Sequence, residues 1–120
     1  MYYLYLIQSV GGRAGFGVTQ DFKERNKQYC SHSGDIVQFK FLFGGIRAHA
    51  KALESTIKRQ YLDNIWMVDD WKTEWLKDGV SMQVLKDYVE DLIHSRHFKL
   101  KLVAKDYDFR TDLDILDIDK

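Results

Sequence analysis

Met1-Tyr2-Tyr3-Leu4-Tyr5-Leu6-Ile7-Gln8-Ser9, broken by Gly11-Gly12 and resumed as Ala14-Gly15-Phe16-Gly17-Val18-Thr19, is the stretch that decides the fold. Tyr3, Tyr5 and Ile7 fall on one face of a period-two strand, and Tyr2, Leu4 and Leu6 fall on the other. Both faces are aromatic or aliphatic, which suits a largely buried strand. The glycine pair marks a turn, and the second run returns as the other arm of a hairpin.

Working outward, Phe22 to Cys30 reads as a short helix with Asp21 or Thr19 as its cap, and Ser31 to Asp35 as a loop. Ile36 to Phe43 is β-branched and aromatic, a third strand ended by Gly44-Gly45. Ile46, Ala50, Leu53, Ile57, Tyr61 and Ile65 step by three or four, which predicts a helix to about Met67. Trp71, Trp75 and Leu76 begin a further helical or irregular stretch, broken at Asp78-Gly79. Ser81 opens another helix, with Val84, Leu85, Tyr88, Val89, Leu92 and Ile93 as its stripe. Phe98, Leu100 and Leu102 alternate with Lys99 and Lys101 as a fourth strand. These lysines either flank DNA or protect a sheet edge. Asp106, Asp108, Asp112, Asp114, Asp117 and Asp119 punctuate the last stretch, which is a frayed end or a docked segment.

The order is β-β-α-β-α with C-terminal helix and strand additions, an α+β class. The 120 residues suit one domain: a core over 1–67, an extension over 68–105 and an acidic tail over 106–120. Trp71, Trp75, Tyr88, Val89 and Ile93 complete the core or form a dimer face. No run of 18 apolar residues exists, so no membrane span is expected. The single cysteine, Cys30, excludes an internal disulfide and a cysteine-cluster zinc site, and points to a reducing compartment. Net charge is zero but uneven. Residues 1–68 hold nine basic and five acidic residues, and residues 69–120 hold nine and thirteen. A basic half suits a polyanion; chance accounts for such a split equally well.

Several polar residues go beyond what a core needs. Tyr3 and Tyr5 share a strand face. Arg25 follows Thr19 by six residues, and Tyr29 lies one helical turn further on. Glu54 is followed one turn later by Lys58. A carboxylate can hold a hard divalent ion, and the ion can polarise a phosphate. The planar fork of an arginine suits the charge of a pentavalent phosphorus. A tyrosine serves as general base only with a lowered pKa. Each residue also has an ordinary reading: a solvated helical glutamate, a core tyrosine, a surface arginine.

Tyr3-Leu4-Tyr5, a nine-residue gap, Gly15-Phe16-Gly17-Val18-Thr19 and then Arg25 resemble the GIY-YIG nuclease pattern of small stand-alone members. His49 to Lys58 is similar to the family helix that carries a metal-binding glutamate, and the likeness covers about residues 1–62. It implies a three-stranded antiparallel sheet flanked by helices. It implies Tyr5 at or near the attacking water, Arg25 on the scissile phosphate, Tyr29 near the nucleophile and Glu54 as the single ligand of magnesium or manganese. Gly17 and Thr19 match structural positions, a close backbone approach and a strand exit. Arg25, Lys27, His32 and Lys58 are the residues placed against nucleic acid. Two departures stand out: Tyr3 occupies a usual glycine, and Gly15 occupies the second motif's tyrosine, where Phe16 cannot substitute on a regular strand. His32 and His49 are either compensating groups or surface residues. Asn64 is the nearest counterpart of the family asparagine, at short spacing.

The resemblance implies a metal-dependent DNA endonuclease that nicks one strand per site. It would work in the cytoplasm of a bacterium or as a virus-encoded intracellular protein, with a homodimer or protein partner for targeting. The alternatives are a catalytically impaired relative that binds nucleic acid or a protein, and an unrelated α+β interaction domain.

Overall fold

The computed structural model describes residues 1–9, 11–33, 37–68, 71–77 and 79–107, with backbone alone at 29–33, 66–68, 71–74 and 107. Tyr2–Ser9 (β1) and Ala14–Thr19 (β2) form the expected hairpin, with Tyr5 opposite Gly17 and Leu6 opposite Phe16. Gly12 turns the chain at φ +89°, a left-handed backbone that glycine adopts without a Cβ penalty. The Arg13 amide donates to the Ser9 hydroxyl at 3.1 Å across the same turn.

Phe22–Ser33 (α1) follows. The Glu24 amide donates to Asp21 Oδ1 at 3.1 Å, so Asp21 is the side-chain cap. Thr19 sets the approach: its hydroxyl accepts from the Asp21 amide at 3.1 Å. Val37–Gly45 (β3) pairs antiparallel with β1 on the side away from β2. Leu6 faces Phe41 while Ile7 faces Phe39, so Lys40 is an extra residue at a bulge.

Arg47–Gln60 (α2) stops well before Met67. The Tyr61 amide makes the last helical bond, to the Ile57 carbonyl at 3.0 Å. Leu62–Asn64 forms a 3-10 turn, and Ile65–Val68 (β4) is a strand. The expected longer helix fails because the spacing of Ile57, Tyr61 and Ile65 fits both a continued helix and a turn into a strand. The Asn64 amide, bonded to the Tyr61 carbonyl at 2.8 Å, tightens the chain into the second option. Trp71–Leu76 (β5) is also a strand, where a helical or irregular stretch was expected. Trp75 and Leu76 turn to opposite sides of the sheet, the alternation of a strand buried on both faces. The Lys77 amide donates to the Asn64 carbonyl at 2.6 Å and ties this hairpin at its open end.

Met82–Ser95 (α3) begins at Ser81, whose hydroxyl accepts from the Val84 amide at 3.1 Å. Leu100–Tyr107 (β6) then pairs with β3. The class is α+β, as expected, and among the described residues the sheet has six strands in the order β4-β5-β2-β1-β3-β6, where a three-stranded core with one added strand was expected. The C-terminal half adds strands to both sides of the β2-β1-β3 unit.

Each sheet face has its own core. On one, Leu4, Leu6, Phe16, Val18 and Phe43 pack against Ala50, Leu53 and Ile57 of α2 and Leu85, Val89 and Leu92 of α3. On the other, Tyr5, Ile7, Val37, Phe39 and Leu42 are buried with Tyr3, Phe22, Trp75 and Ala104 around them. Full burial of a large apolar side chain is worth about 1.5–3 kcal/mol, which explains why β1 carries no charge on either face. Asp106 belongs to β6, with Lys40 Nζ 3.3 Å from its carboxylate. The rest of the expected tail, 108–120, lies outside the described residues. Among the described residues, no helix is long and apolar enough to cross a membrane.

Candidate functional site

Tyr5 stands at the middle of β1 and is 0% exposed. Its ring packs on Phe39 with centroids 5.3 Å apart and planes tilted by 39°. The phenol lies flat over Gly17, where a Cβ would come within 2.6 Å of Tyr5 Cζ and overlap the phenol oxygen. Only glycine leaves room for the ring there. Two residues earlier on the strand, Tyr3 meets Phe22 edge-on at 4.9 Å, with planes at 80°. That contact docks the first turn of α1 on the Tyr5 side of the sheet. Arg25 follows one turn later, half-buried, its amide bonded to the Asp21 carbonyl at 3.1 Å. Lys27 is exposed on the same helix. The backbone of Tyr29 and His32 continues α1, but their side chains lie outside the described residues.

Gly15, where the resemblance expects a tyrosine, pairs with Trp75 of β5. Directly opposed residues share a sheet face, and Trp75 packs with the Tyr5 and Ile7 cluster. Aromatic surface at this point therefore comes from the neighbouring strand. Sequence reading sees Trp75 only as core or dimer face, because nothing local pairs it with Gly15, 60 positions away in the chain.

Glu54 and Lys58 lie on α2, which covers the opposite face of the sheet. The Glu54 side chain is 14% exposed and Lys58 Nζ is 3.8 Å from its Oε1; the Lys58 side chain is 56% exposed. The phase of α2 settles which way Glu54 leans. His49 and Thr56 flank the buried stripe of Ala50, Leu53 and Ile57 on one side, and Glu54 and Lys58 flank it on the other. The His49 side faces the α3–β6 connection: the Lys99 amide donates to His49 Nδ1 at 3.0 Å, and the ring meets Phe98 edge-on at 6.1 Å. The Glu54 side therefore leans toward β2. His49 is a tie between α2 and β6, a role the sequence does not signal.

The structure thus gathers Tyr5 and the Arg25 turn on one face and places Glu54 on the other. A ligand touching both must pass an edge or an end of the sheet. Among the described residues, no group of three or more His, Cys, Asp or Glu side chains converges. A magnesium-type ion needs fewer protein ligands when one carboxylate acts with water and phosphate oxygens. Glu54 fits that restricted donor set: an oxygen ligand mostly withdrawn from solvent, beside an ammonium on an exposed, flexible stem. No family model matches the chain, and no curated protein or solved structure matches it either.

Proposed function

We propose that the protein is a metal-dependent DNA endonuclease of the GIY-YIG type, cutting at the Gly17–Thr19 end of β2. The observation that carries the reading is the route of the chain at that end. β2 exits through Thr19 into the Asp21 cap, which starts α1 with Arg25 one turn in, over the sheet face that holds Tyr5, while Glu54 is carried by α2 over the other face. Arg25 holds the scissile phosphate by charge-assisted hydrogen bonds and meets the charge that builds on its equatorial oxygens. Tyr5 and Tyr29 border the attacking water. The water oxygen bonds to phosphorus, the ester bond opposite it breaks, and the leaving oxygen takes up a proton. A magnesium or manganese ion on Glu54 supplies Lewis-acid stabilisation of that leaving oxygen when bound. One such site cuts one strand, so the product is a nick. The partner is DNA and the compartment the cytoplasm.

A second reading rests on the burial of Tyr5. A phenol with no solvent exposure, together with a Gly15 in place of the motif tyrosine, suits a relative that binds nucleic acid or a protein without cutting. Supercoiled plasmid with magnesium or manganese separates the two. On the nuclease reading, the wild type converts it to open circles, and Glu54→Ala and Arg25→Ala each lower the rate by at least about a hundredfold. Nicking that survives in Glu54→Ala refutes the site. DNA binding by an inactive wild type, weakened by Arg25→Ala and unchanged by Glu54→Ala, establishes the second reading.

A further inference from the structure

The charges of α2 are gathered on one flank. Arg47, Lys51, Glu54 and Lys58 follow at intervals of four, three and four residues, which stacks them along one side of the helix. Beside them runs the buried stripe of Ala50, Leu53 and Ile57, and the tie from His49 to Lys99 lies on the far flank. Arg47 and Lys51 are exposed. The helix holds four Lys or Arg and one acid, Glu54, which Lys58 already answers at 3.8 Å. Among the described residues, neither Arg47 nor Lys51 has a carboxylate partner. Arg47 is also the first residue of α2, where the helix dipole disfavours a cation, and the first turn has no acid to offset it. An aromatic contact steadies it: the guanidinium carbon stands 6.0 Å from the centre of the Tyr2 ring. Tyr2 begins β1, and its neighbour Tyr3 pairs with Thr19, so the guanidinium is held at the sheet end where β2 exits.

A cation kept against the dipole, exposed and with no acid to answer it, fits a surface that meets an anion from outside. The inference takes its ligand, DNA, from the nuclease reading above and extends the contact beyond Lys58. We propose that Arg47 and Lys51 join Lys58 in a track along α2 that grips separate phosphates of the strand being cut, on the side of Glu54. At 1.5 Å per residue, Arg47 lies about 6 Å along the axis from Lys51 and about 17 Å from Lys58, so the three meet different phosphates. Glu54 interrupts the row between Lys51 and Lys58, and there the phosphate meets the proposed metal ion instead of a lysine. The track touches backbone alone, so it holds DNA without choosing a sequence.

The test is the binding of the full chain to a fluorescein-labelled duplex of about 20 base pairs, followed by anisotropy without divalent metal from about 50 to about 200 mM salt. Each phosphate contact adds ~0.9 to the slope of log affinity against log salt. Arg47→Gln/Lys51→Gln lowers that slope by about two and weakens binding at least about tenfold at roughly 100 mM salt. Arg59→Gln/Lys77→Gln, which removes the same charge from exposed positions off the row, keeps the wild-type slope. Arg47→Lys/Lys51→Arg keeps it too, because the track needs charge and not a particular side chain. Plasmid nicking with magnesium is read in parallel. A wild type that nicks, beside an Arg47→Gln/Lys51→Gln variant with the wild-type slope, overturns the track and leaves the nuclease reading standing. A wild type that binds through the track but does not nick refutes the nuclease reading and upholds the track. Equal losses in the two glutamine variants, or a wild type that does not bind the duplex, overturn the proposal.

Discussion

Gly17→Ala is the sharpest probe of how β1 and β2 are joined. The added methyl would lie 2.6 Å from Tyr5 Cζ and 3.2 Å from Cε1, and would overlap the phenol oxygen. Carbon atoms in contact sit at about 3.5–4.0 Å, so the ring must move by close to an ångström. It has nowhere to go: Tyr5 is fully buried and Phe39 stacks against it at 5.3 Å. Overpacking of this kind costs about 1–3 kcal/mol. For a domain of this size that lowers Tm by roughly 5–15 °C, and urea denaturation followed by circular dichroism gives the same loss as a lowered midpoint. A double-mutant cycle locates the cause. Tyr5→Phe removes the oxygen but keeps Cζ, so it relieves only part of the penalty. Tyr5→Leu removes both atoms, so the methyl costs under about 0.5 kcal/mol in that background. A Gly17→Ala variant as stable as wild type, or one equally damaged in the Tyr5→Leu background, refutes the packing argument. It would also remove the physical reason for glycine at this position.

Two further outcomes follow from single contacts. Ser81→Ala leaves the Val84 amide without its cap acceptor and lowers stability by about 1 kcal/mol, whereas Ser81→Asp restores most of it; chemical denaturation measures both. The Tyr61 phenol is raised above 10.0 by burial, with the Tyr88 phenol beside it adding to the shift. The neutral form is thus favoured in the folded state, so its stabilising contribution is full below the unfolded pKa and is lost as pH rises through the folded one. Tyr61→Phe should therefore lose stability less steeply than wild type above about pH 10, and parallel alkaline denaturation curves would contradict this.

Elements with a strong local signal were legible in the sequence, and those set by distant pairing were not. The hairpin followed from period-two runs around a glycine turn, and the cap at Ser81 from residue type and position; for α1 the sequence offered Asp21 or Thr19, and the structure caps with Asp21. β4 and β5 were not legible: Ile65 continues the helical spacing of Ile57 and Tyr61, and the bond from Asn64 to Tyr61 together with pairing to β5 decides against it. Pairing of Gly15 with Trp75 likewise joins positions far apart in the chain. At the candidate site, the two-face arrangement was hidden for the same reason. Residue spacing places Arg25 and Tyr29 on one turn and Glu54 beside Lys58. Which sheet face each helix covers depends on α1 docking through Phe22 on Tyr3, and on α2 and α3 sharing the Leu4 and Leu6 side.

That arrangement constrains the proposed chemistry more tightly than the residue set does. On the proposed reading Tyr5 and Arg25 act from one side of the sheet and Glu54 from the other, which sets the scissile group at the rim of β2 and not on a sheet face. A rim exposes the phosphate to groups from both helices while leaving the nucleotides on either side outside the protein. Affinity must then come from backbone contacts rather than from base edges, which predicts weak sequence preference and strong dependence on salt. The exposed cations that could contribute, Lys27 on α1 and Lys58 on α2, stand on opposite faces. A strand passing the rim could meet both, and removing either should weaken binding to a similar extent whatever the sequence. A substrate lying across one face would depend on one lysine and ignore the other.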